Sequence, residues 1–158
     1  MPEPAGRQFP DFLVNEVMPR VNGHYRTLTD QEHTGLGGSS YGGVATLYTL
    51  LARPRRIGFA LIESAPLWVG MGELVRETSP LTAMPLRVYF GIGGREGGTA
   101  VNAKLIGLVR QVEANFRAAG YDSSTLRVVV DPAARHTEAA WASRLPGALT
   151  FLFGDGKK

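Results

Sequence analysis

The chain has 158 residues, of which 44% are hydrophobic and 20% are charged. This length and composition suit one soluble globular domain and exclude an intrinsically disordered chain. The 17 Lys and Arg against 14 Asp and Glu leave a formal net charge of +3, and the absence of cysteine excludes disulfides, thiolate catalysis and cysteine-bound metals.

The N-terminal region predicts a helix and no targeting signal. Apolar side chains recur at helical spacing over residues 11–20, Asn22-Gly23 is expected to end this helix, and its apolar face is expected to pack on a sheet. No apolar stretch follows a basic start, and no run approaches the roughly 18 apolar residues that a membrane span needs. We therefore expect a soluble, cytoplasmic protein that does not associate with membranes.

Strand and helix patterns then alternate along the chain. The predicted strands are residues 34–39, 57–62, 86–92 and 126–130. The predicted helices are residues 41–51, 100–119 and 138–153, the last bent or interrupted at Pro146, and residues 66–77 form either a helix or a capping loop. This alternation predicts one α/β domain over residues 1–158 with a mainly parallel sheet of about four to five strands.

The most specific motif is Gly38-Ser39-Ser40-Tyr41-Gly42, which has the form G-x-S-x-G between a predicted strand and a predicted helix. In such a turn the serine is strained and exposed, and glycines on either side let neighbouring backbone approach closely. We predict that Ser40 is a nucleophile and that the Tyr41 amide, at the start of the helix, donates to an oxyanion. A flexible Gly/Ser linker is the alternative interpretation.

A serine hydroxyl needs a base to become an effective nucleophile. Of the three histidines, only His136 follows Ser40, and it comes a few residues after the last predicted strand, where ligands gather in parallel sheets. In hydrolases whose serine lies in such a strand-to-helix turn, the serine, the acid and the histidine follow one another in that order along the chain. We therefore predict that His136 is the general base. His24 and His33 precede the serine and are expected to be surface residues.

The third member of the triad should be an acid that follows a strand between the serine and the histidine. Glu96 comes shortly after the strand predicted at residues 86–92, and it would hold the imidazole tautomer and stabilise the imidazolium. The alternative is a solvated carboxylate paired with Arg95. Asp131, near His136, is the reserve candidate.

The sequence offers fewer indications of what the protein binds. We assign Trp68 and Ser39 to the substrate pocket, although core packing explains Trp68 equally well. The tightest basic group, Arg53, Arg55 and Arg56, follows a predicted helix end, where arginines act mainly as dipole partners and solvated surface. We therefore predict no nucleic acid partner. The predicted serine nucleophile instead indicates a small ester as substrate.

Four segments together resemble the esterase family that includes esterase D and the enterochelin-esterase-like hydrolases. These segments are residues 33–43, Ser64-Ala65-Pro66-Leu67-Trp68, Gly93-Gly94-Arg95-Glu96, and His136-Thr137-Glu138-Ala139-Ala140-Trp141. The resemblance implies an α/β-hydrolase fold, cleavage of carboxylic esters, and the roles of nucleophile for Ser40, acid for Glu96 and base for His136. We predict no cofactor.

The family resemblance also implies a missing part. Family members have about a hundred residues before the elbow, so this chain resembles their C-terminal half alone. The absent part would contain the first strands and the loop that supplies a second oxyanion donor. The strand that ends at Ser39 would then be an unpaired edge, and we expect a homo-oligomer, dimeric or larger, to cover it.

Two functions are compatible with these features. The first is a serine carboxylesterase that hydrolyses short-chain acyl esters through an acyl-enzyme intermediate. The second is a catalytically weak or inactive family member that acts as an oligomeric binding or assembly domain. Metal-assisted ester hydrolysis has little support, because no His, Asp or Glu cluster has ligand spacing.

Overall fold

The computed structural model describes residues 5–79 and 87–154. The strands are β1 (Gly35–Ser39), β2 (Phe59–Glu63), β3 (Arg87–Gly93) and β4 (Leu126–Asp131). The α-helices are α1 (Phe9–Phe12), α2 (Met18–His24), α3 (Tyr41–Ala52), α4 (Glu73–Glu77), α5 (Thr99–Ala118) and α6 (Glu138–Phe153). A π-helical segment, Leu13–Val17, joins α1 to α2, and short 3-10 turns occupy Ala5–Gln8, Gln31–His33 and Val69–Gly72.

The strands form one parallel sheet in the order β1-β2-β3-β4. In the register, Ser39 lies beside Glu63, Glu63 beside Gly91, and Gly93 beside Asp131. Because all strands run the same way, their carboxyl ends meet at one edge of the sheet, where functional loops of parallel sheets gather. The predicted α/β fold with a mainly parallel sheet is confirmed.

Helices cover both faces of the sheet. Strand β3 is buried on both faces, as expected for a central parallel strand: Phe90 lies in the larger core and Tyr89 in the smaller one. The larger core contains side chains of α3, α4 and α5, and the smaller core is formed by α6 against the opposite face. The two cores hold the four strands between two helical layers.

Helices α3 and α5 confirm the prediction from apolar periodicity. Helix α5 ends just before Gly120, whose φ of 97° lies in the left-handed region that favours glycine. Its buried side chains are Leu105, Val109, Val112 and Phe116, which recur at helical spacing on one face. At the end of α3, the Arg53 guanidinium donates to the Ala52 carbonyl and pairs with Asp11. This arginine therefore binds the C-terminal end of α3, as expected.

The N-terminal helical segment differs from its prediction. It continues through Asn22-Gly23 to His24, and its main packing partner is α3 instead of the sheet. The π-helical segment explains the changed face, because a wider turn shifts the helical phase of everything after it. Val21, which follows this segment, is 42% exposed, whereas Val14 within it is buried.

Helix α6 also differs from its prediction. It is continuous through Pro146 and not interrupted there, and the Thr150 hydroxyl donates to the Pro146 carbonyl. Its buried side chains are Arg144, Ala148, Phe151 and Leu152, whereas Leu145 and Leu149, although apolar, are 38% and 42% exposed. The face toward the sheet includes Arg144 because a buried carboxylate of β2 lies opposite it.

The other boundaries shift by small amounts. Strand β2 begins at Phe59, two residues later than predicted, and the region predicted as helix or capping loop forms Val69–Gly72 followed by α4. Leu86, the predicted first residue of a strand, lies outside the described residues. Within the described ranges, none of the helices combines the length and apolar character needed to cross a membrane. The cytoplasmic location stays a prediction.

Candidate active site

Ser40 occupies a sharp turn between β1 and α3. Its backbone has φ 56° and ψ −125°, a conformation that L residues rarely adopt and that costs about 1–3 kcal/mol. The Ser40 amide donates to the Glu63 carbonyl over 2.8 Å, and the Ser40 carbonyl accepts from the amides of Gly43 and Val44. These backbone bonds hold the turn in the geometry expected of a nucleophile elbow.

Two glycines allow this turn to pack closely. A Cβ on Gly38 would lie 2.5 Å from the carbonyl carbon of Gly42, so the strand and the helix start could not approach with a side chain there. A Cβ on Gly43 would lie 3.0 Å from the Cβ of Ala65, whereas one on Gly42 would meet open space. Close approach therefore depends on Gly38 and Gly43, and not on Gly42 as the motif alone suggested.

The structure brings together the three residues that the sequence predicted as a triad. His136 Nε2 lies 3.0 Å from Ser40 Oγ, and His136 Nδ1 lies 3.0 Å from Glu96 Oε2. Ser40 follows β1, Glu96 follows β3 and His136 follows β4, so all three stand at the carboxyl edge of the sheet. This line of hydrogen bonds can transfer a proton from the serine to the imidazole.

Glu96 is enclosed, unlike a solvated loop carboxylate. Its side chain is 2% exposed, and Oε1 accepts hydrogen bonds from the Gly93 amide at 2.6 Å and the Ser64 hydroxyl at 2.5 Å. The reserve acid, Asp131, instead accepts from the amides of Ala133 and Ala134 in the loop before the histidine. The geometry therefore favours Glu96 over Asp131 as the partner of the imidazole.

The other two histidines bond elsewhere. His24 Nδ1 donates to the Arg20 carbonyl, and His33 Nδ1 lies 2.7 Å from Asp30 Oδ1 on the exposed surface. The hydrogen bond with His33 lowers the pKa of Asp30 below its ordinary value. Across the described part of the chain, no group of three His, Asp or Glu side chains could hold a metal ion.

The predicted oxyanion donor, Tyr41, and the predicted pocket residue Ser39 are the chain neighbours of Ser40, whereas Trp68 follows β2. Tyr41 is the first residue of α3, where an amide has no acceptor within the helix, and its side chain is 70% exposed. Ser39, at the end of β1, is half-buried, and Trp68, just before the Val69–Gly72 turn, is 40% exposed. Trp68 is thus too exposed to be a residue of the core, which leaves its pocket role as a prediction.

A buried ion pair lies next to the turn. Arg144 of α6 donates to Glu63 of β2, with Nη2 2.7 Å from Oε2, and both side chains are 5% exposed. Burial raises the pKa of Glu63, and the hydrogen bonds and charge of Arg144 oppose that rise. A Cβ on Gly91 would lie 2.4 Å from the Glu63 carboxylate oxygens, so this glycine makes room for the pair.

Sequence reasoning missed four residues that surround the triad: Ser64, Trp141, Glu63 and Arg144. Ser64 and Trp141 stood within segments that resemble the family, but neither had an assigned role. The position of Ser64 directly after a strand, at the same sheet edge as the triad, was the one available signal. Arg144 was hidden because a charged residue on an amphipathic helix normally indicates a solvated face.

The parallel sheet, its flanking helices and the serine turn between β1 and α3 define an α/β-hydrolase fold. Residues 2–152 match the Esterase family, whose description is "Putative esterase". The chain belongs to this family. The resemblance seen in the four sequence segments is confirmed.

Known relatives are longer than this chain. It is 28% identical over 133 residues to the Iron(III) enterobactin esterase of Dickeya dadantii, a match that covers 70% of this chain and 31% of that protein. It is 20% identical over 154 residues to the uncharacterised protein YbbA of Bacillus subtilis, covering 96% of this chain and 62% of that protein. The chain thus spans only part of the length of either relative.

A solved structure supports the same fold. An enterochelin esterase from Shigella flexneri superposes with a TM-score of 0.74 at 21% identity, covering 89% of this chain and 36% of that one. Since the identity is low, this similarity establishes the fold alone.

Proposed function

We propose that this chain is a serine carboxylesterase that hydrolyses short-chain acyl esters through a Ser40–His136–Glu96 triad. One observation supports this function above all: the continuous line of hydrogen bonds from Ser40 through His136 to the enclosed Glu96. Membership of the esterase family supports the choice of esters as substrates.

The proposed reaction proceeds in two halves. Ser40 Oγ attacks the ester carbonyl carbon while its proton passes to His136 Nε2, and the Tyr41 amide donates to the resulting oxyanion. The intermediate collapses, the bond to the alkoxy oxygen breaks, and His136 returns the proton to the leaving alcohol. A water then attacks the acyl-enzyme with His136 as base, which releases the carboxylic acid and regenerates Ser40. Apart from the ester and the water, these steps use only groups of the chain and require no cofactor.

Accessibility supports small substrates. The His136 side chain is 36% exposed, so the hydroxyl and the imidazole meet at a surface that opens to solvent. Such a site can admit a short acyl ester without a conformational change. We assign Ser39, which directly precedes Ser40, and Trp68, which is 40% exposed, to contacts with the acyl or alcohol group.

Labelling with a fluorophosphonate probe tests this function, because the probe reacts with an activated serine and not with an ordinary hydroxyl. We expect mass spectrometry to locate one adduct, on Ser40. Ser143→Ala, which removes an exposed hydroxyl that bonds only within α6, should label as the wild type does. An adduct spread over several serines, or one that persists equally in heat-unfolded protein, would contradict the activation of Ser40.

We also propose that a second copy of the chain covers β1. In the described part of the chain β1 pairs only with β2, and its residues are exposed or half-buried, so one row of its backbone amides and carbonyls is free to pair. Light scattering at micromolar concentration should therefore report a dimer or larger oligomer. A stable monomer under these conditions would contradict the proposed association.

The exposed edge of β1 also favours the second candidate, a weak or inactive assembly domain. In that case the oligomer would form, but hydrolysis of p-nitrophenyl esters would not exceed the background rate. The complete hydrogen-bonded line from Ser40 to Glu96 supports the esterase over this alternative, because assembly alone requires no aligned serine, histidine and acid.

A further inference from the structure

Ser64 is a strained, buried residue beside the acid of the triad. It directly follows β2, it is 1% exposed, and its φ of 50° lies in the left-handed region that favours glycine. A serine side chain in this conformation costs about 1–3 kcal/mol, and such strain is typical of functional sites. The hydroxyl explains why a residue with a side chain occupies this position, because it hydrogen-bonds to Glu96 and to Trp141.

The direction of these hydrogen bonds is determined by chemistry. The indole Nε1 of Trp141 lies 2.8 Å from Ser64 Oγ, and an indole N–H can only donate. Ser64 must therefore accept there and give its single proton to Glu96 Oε1, which lies 2.5 Å away. With the Gly93 amide as a second donor to Oε1, the other oxygen, Oε2, remains for the imidazole.

The same arrangement determines the tautomer of the base. An ionised Glu96 only accepts, so His136 Nδ1 must be the protonated nitrogen, and Nε2 is left as the acceptor for the Ser40 hydroxyl. The Trp141 ring also packs edge-to-face on the imidazole, with centroids 5.1 Å apart and an interplanar angle of 87°. Trp141 thus contacts the base directly and reaches the acid through Ser64.

Building on the proposed esterase function, we propose that Ser64 and Trp141 are positioning residues. Trp141 orients the Ser64 hydroxyl, Ser64 orients the Glu96 carboxylate, and Glu96 keeps His136 in the tautomer that can accept the proton of Ser40. Within the described residues, neither side chain hydrogen-bonds to the Ser40 hydroxyl. Their effect on the reaction passes through the acid and the base.

Steady-state kinetics with p-nitrophenyl butyrate test this role. Ser64→Ala and Trp141→Phe should each lower kcat by about tenfold to a hundredfold and leave KM unchanged, because a misoriented base slows the chemistry and not substrate binding. Trp141→Phe retains an aromatic ring that can pack against His136 and removes the N–H donor. Ser143→Ala is the matched control on α6 and should keep the wild-type kcat.

Two further variants separate positioning from folding. Ser64→Gly removes the hydroxyl and relieves the positive φ, so it should lose activity as Ser64→Ala does while its free energy of unfolding stays at or above that of Ser64→Ala. In a Glu96→Gln background, Ser64→Ala should have little additional effect on kcat, because the acid through which it acts is gone. Independent, multiplicative effects of the two substitutions would overturn the proposal.

A measurement that needs no activity distinguishes this proposal from the proposed function. In protein labelled with ¹⁵N-histidine, the imidazole nitrogen shifts report which nitrogen is protonated. We expect the Nδ1–H tautomer of His136 in the wild type and a mixed population in Ser64→Ala. Unchanged shifts in Ser64→Ala would overturn the positioning role even if the protein is an esterase. Absence of Ser40-dependent hydrolysis would instead contradict the esterase function. The imidazole nitrogen shifts would then still test whether Ser64 positions Glu96 and His136.

Discussion

Replacing Ser40 by alanine is expected to lower kcat for p-nitrophenyl acetate and butyrate by at least about 10³-fold, because it removes the hydroxyl that contacts His136 Nε2 and would form the acyl-enzyme. The residual rate would reflect the imidazole acting on water and the Tyr41 amide acting on the oxyanion. The measurement is initial-rate hydrolysis at several substrate concentrations for the wild type and the variant, with the spontaneous rate subtracted.

Folding provides the control for this variant. Alanine keeps a Cβ at the strained φ of 56°, so Ser40→Ala should unfold at the same denaturant concentration as the wild type. Ser40→Gly should relieve the strain and raise the free energy of unfolding by about 1 kcal/mol, although it is equally inactive. Wild-type hydrolysis by folded Ser40→Ala would refute the esterase function.

Replacing Arg144 by methionine is expected to lower the free energy of unfolding by about 3–5 kcal/mol, because it leaves the Glu63 carboxylate buried without a counter-ion. Both side chains are 5% exposed, and Nε and Nη2 of Arg144 lie 3.1 Å and 2.7 Å from Glu63 Oε2. The carboxylate cannot move toward β3, since it already occupies the space beside Gly91. Urea unfolding followed by circular dichroism measures the change.

Two variants show whether the unpaired charge causes the loss. Glu63→Leu combined with Arg144→Met removes both charges, so it should recover most of the stability that Arg144→Met alone loses. Arg110→Met removes an arginine whose ion pair with Glu113 is exposed, and it should change stability by less than about 0.5 kcal/mol. A double variant as unstable as the single one would show that the arginine side chain, and not the buried charge, is what the fold needs.

The buried pair also connects stability to the site. The Ser40 amide donates to the Glu63 carbonyl, and the hydroxyl of the next residue, Ser64, donates to Glu96. Arg144 Nη1 is buried without a hydrogen-bond partner among the described residues, and it lies 4.0 Å from Asp131, whose other oxygen caps the loop that leads to His136. The end of β2, α6 and the histidine loop are therefore held together at one position.

The sequence by itself determined the features that depend on near neighbours in the chain. Alternating apolar patterns predicted the strands and α3 and α5 to within about two residues of their observed ends, and a G-x-S-x-G motif between a strand and a helix predicted the turn at Ser40. The chain order of parallel strands also predicted that Glu96 and His136 would lie at the same edge as Ser40. Local periodicity and strand direction are enough for such inferences.

Only the tertiary structure decided which distant groups meet. The π-helical turn before α2 shifts the helical phase of the residues that follow it. Arg144 of α6 points inward because it pairs with the buried Glu63 carboxylate. Trp141 bonds to Ser64 from 77 positions away, and Arg144 bonds to Glu63 from 81 positions away. No periodicity relates residues so far apart, because their contact depends on how helices and strands pack and on which polar groups burial forces into pairs.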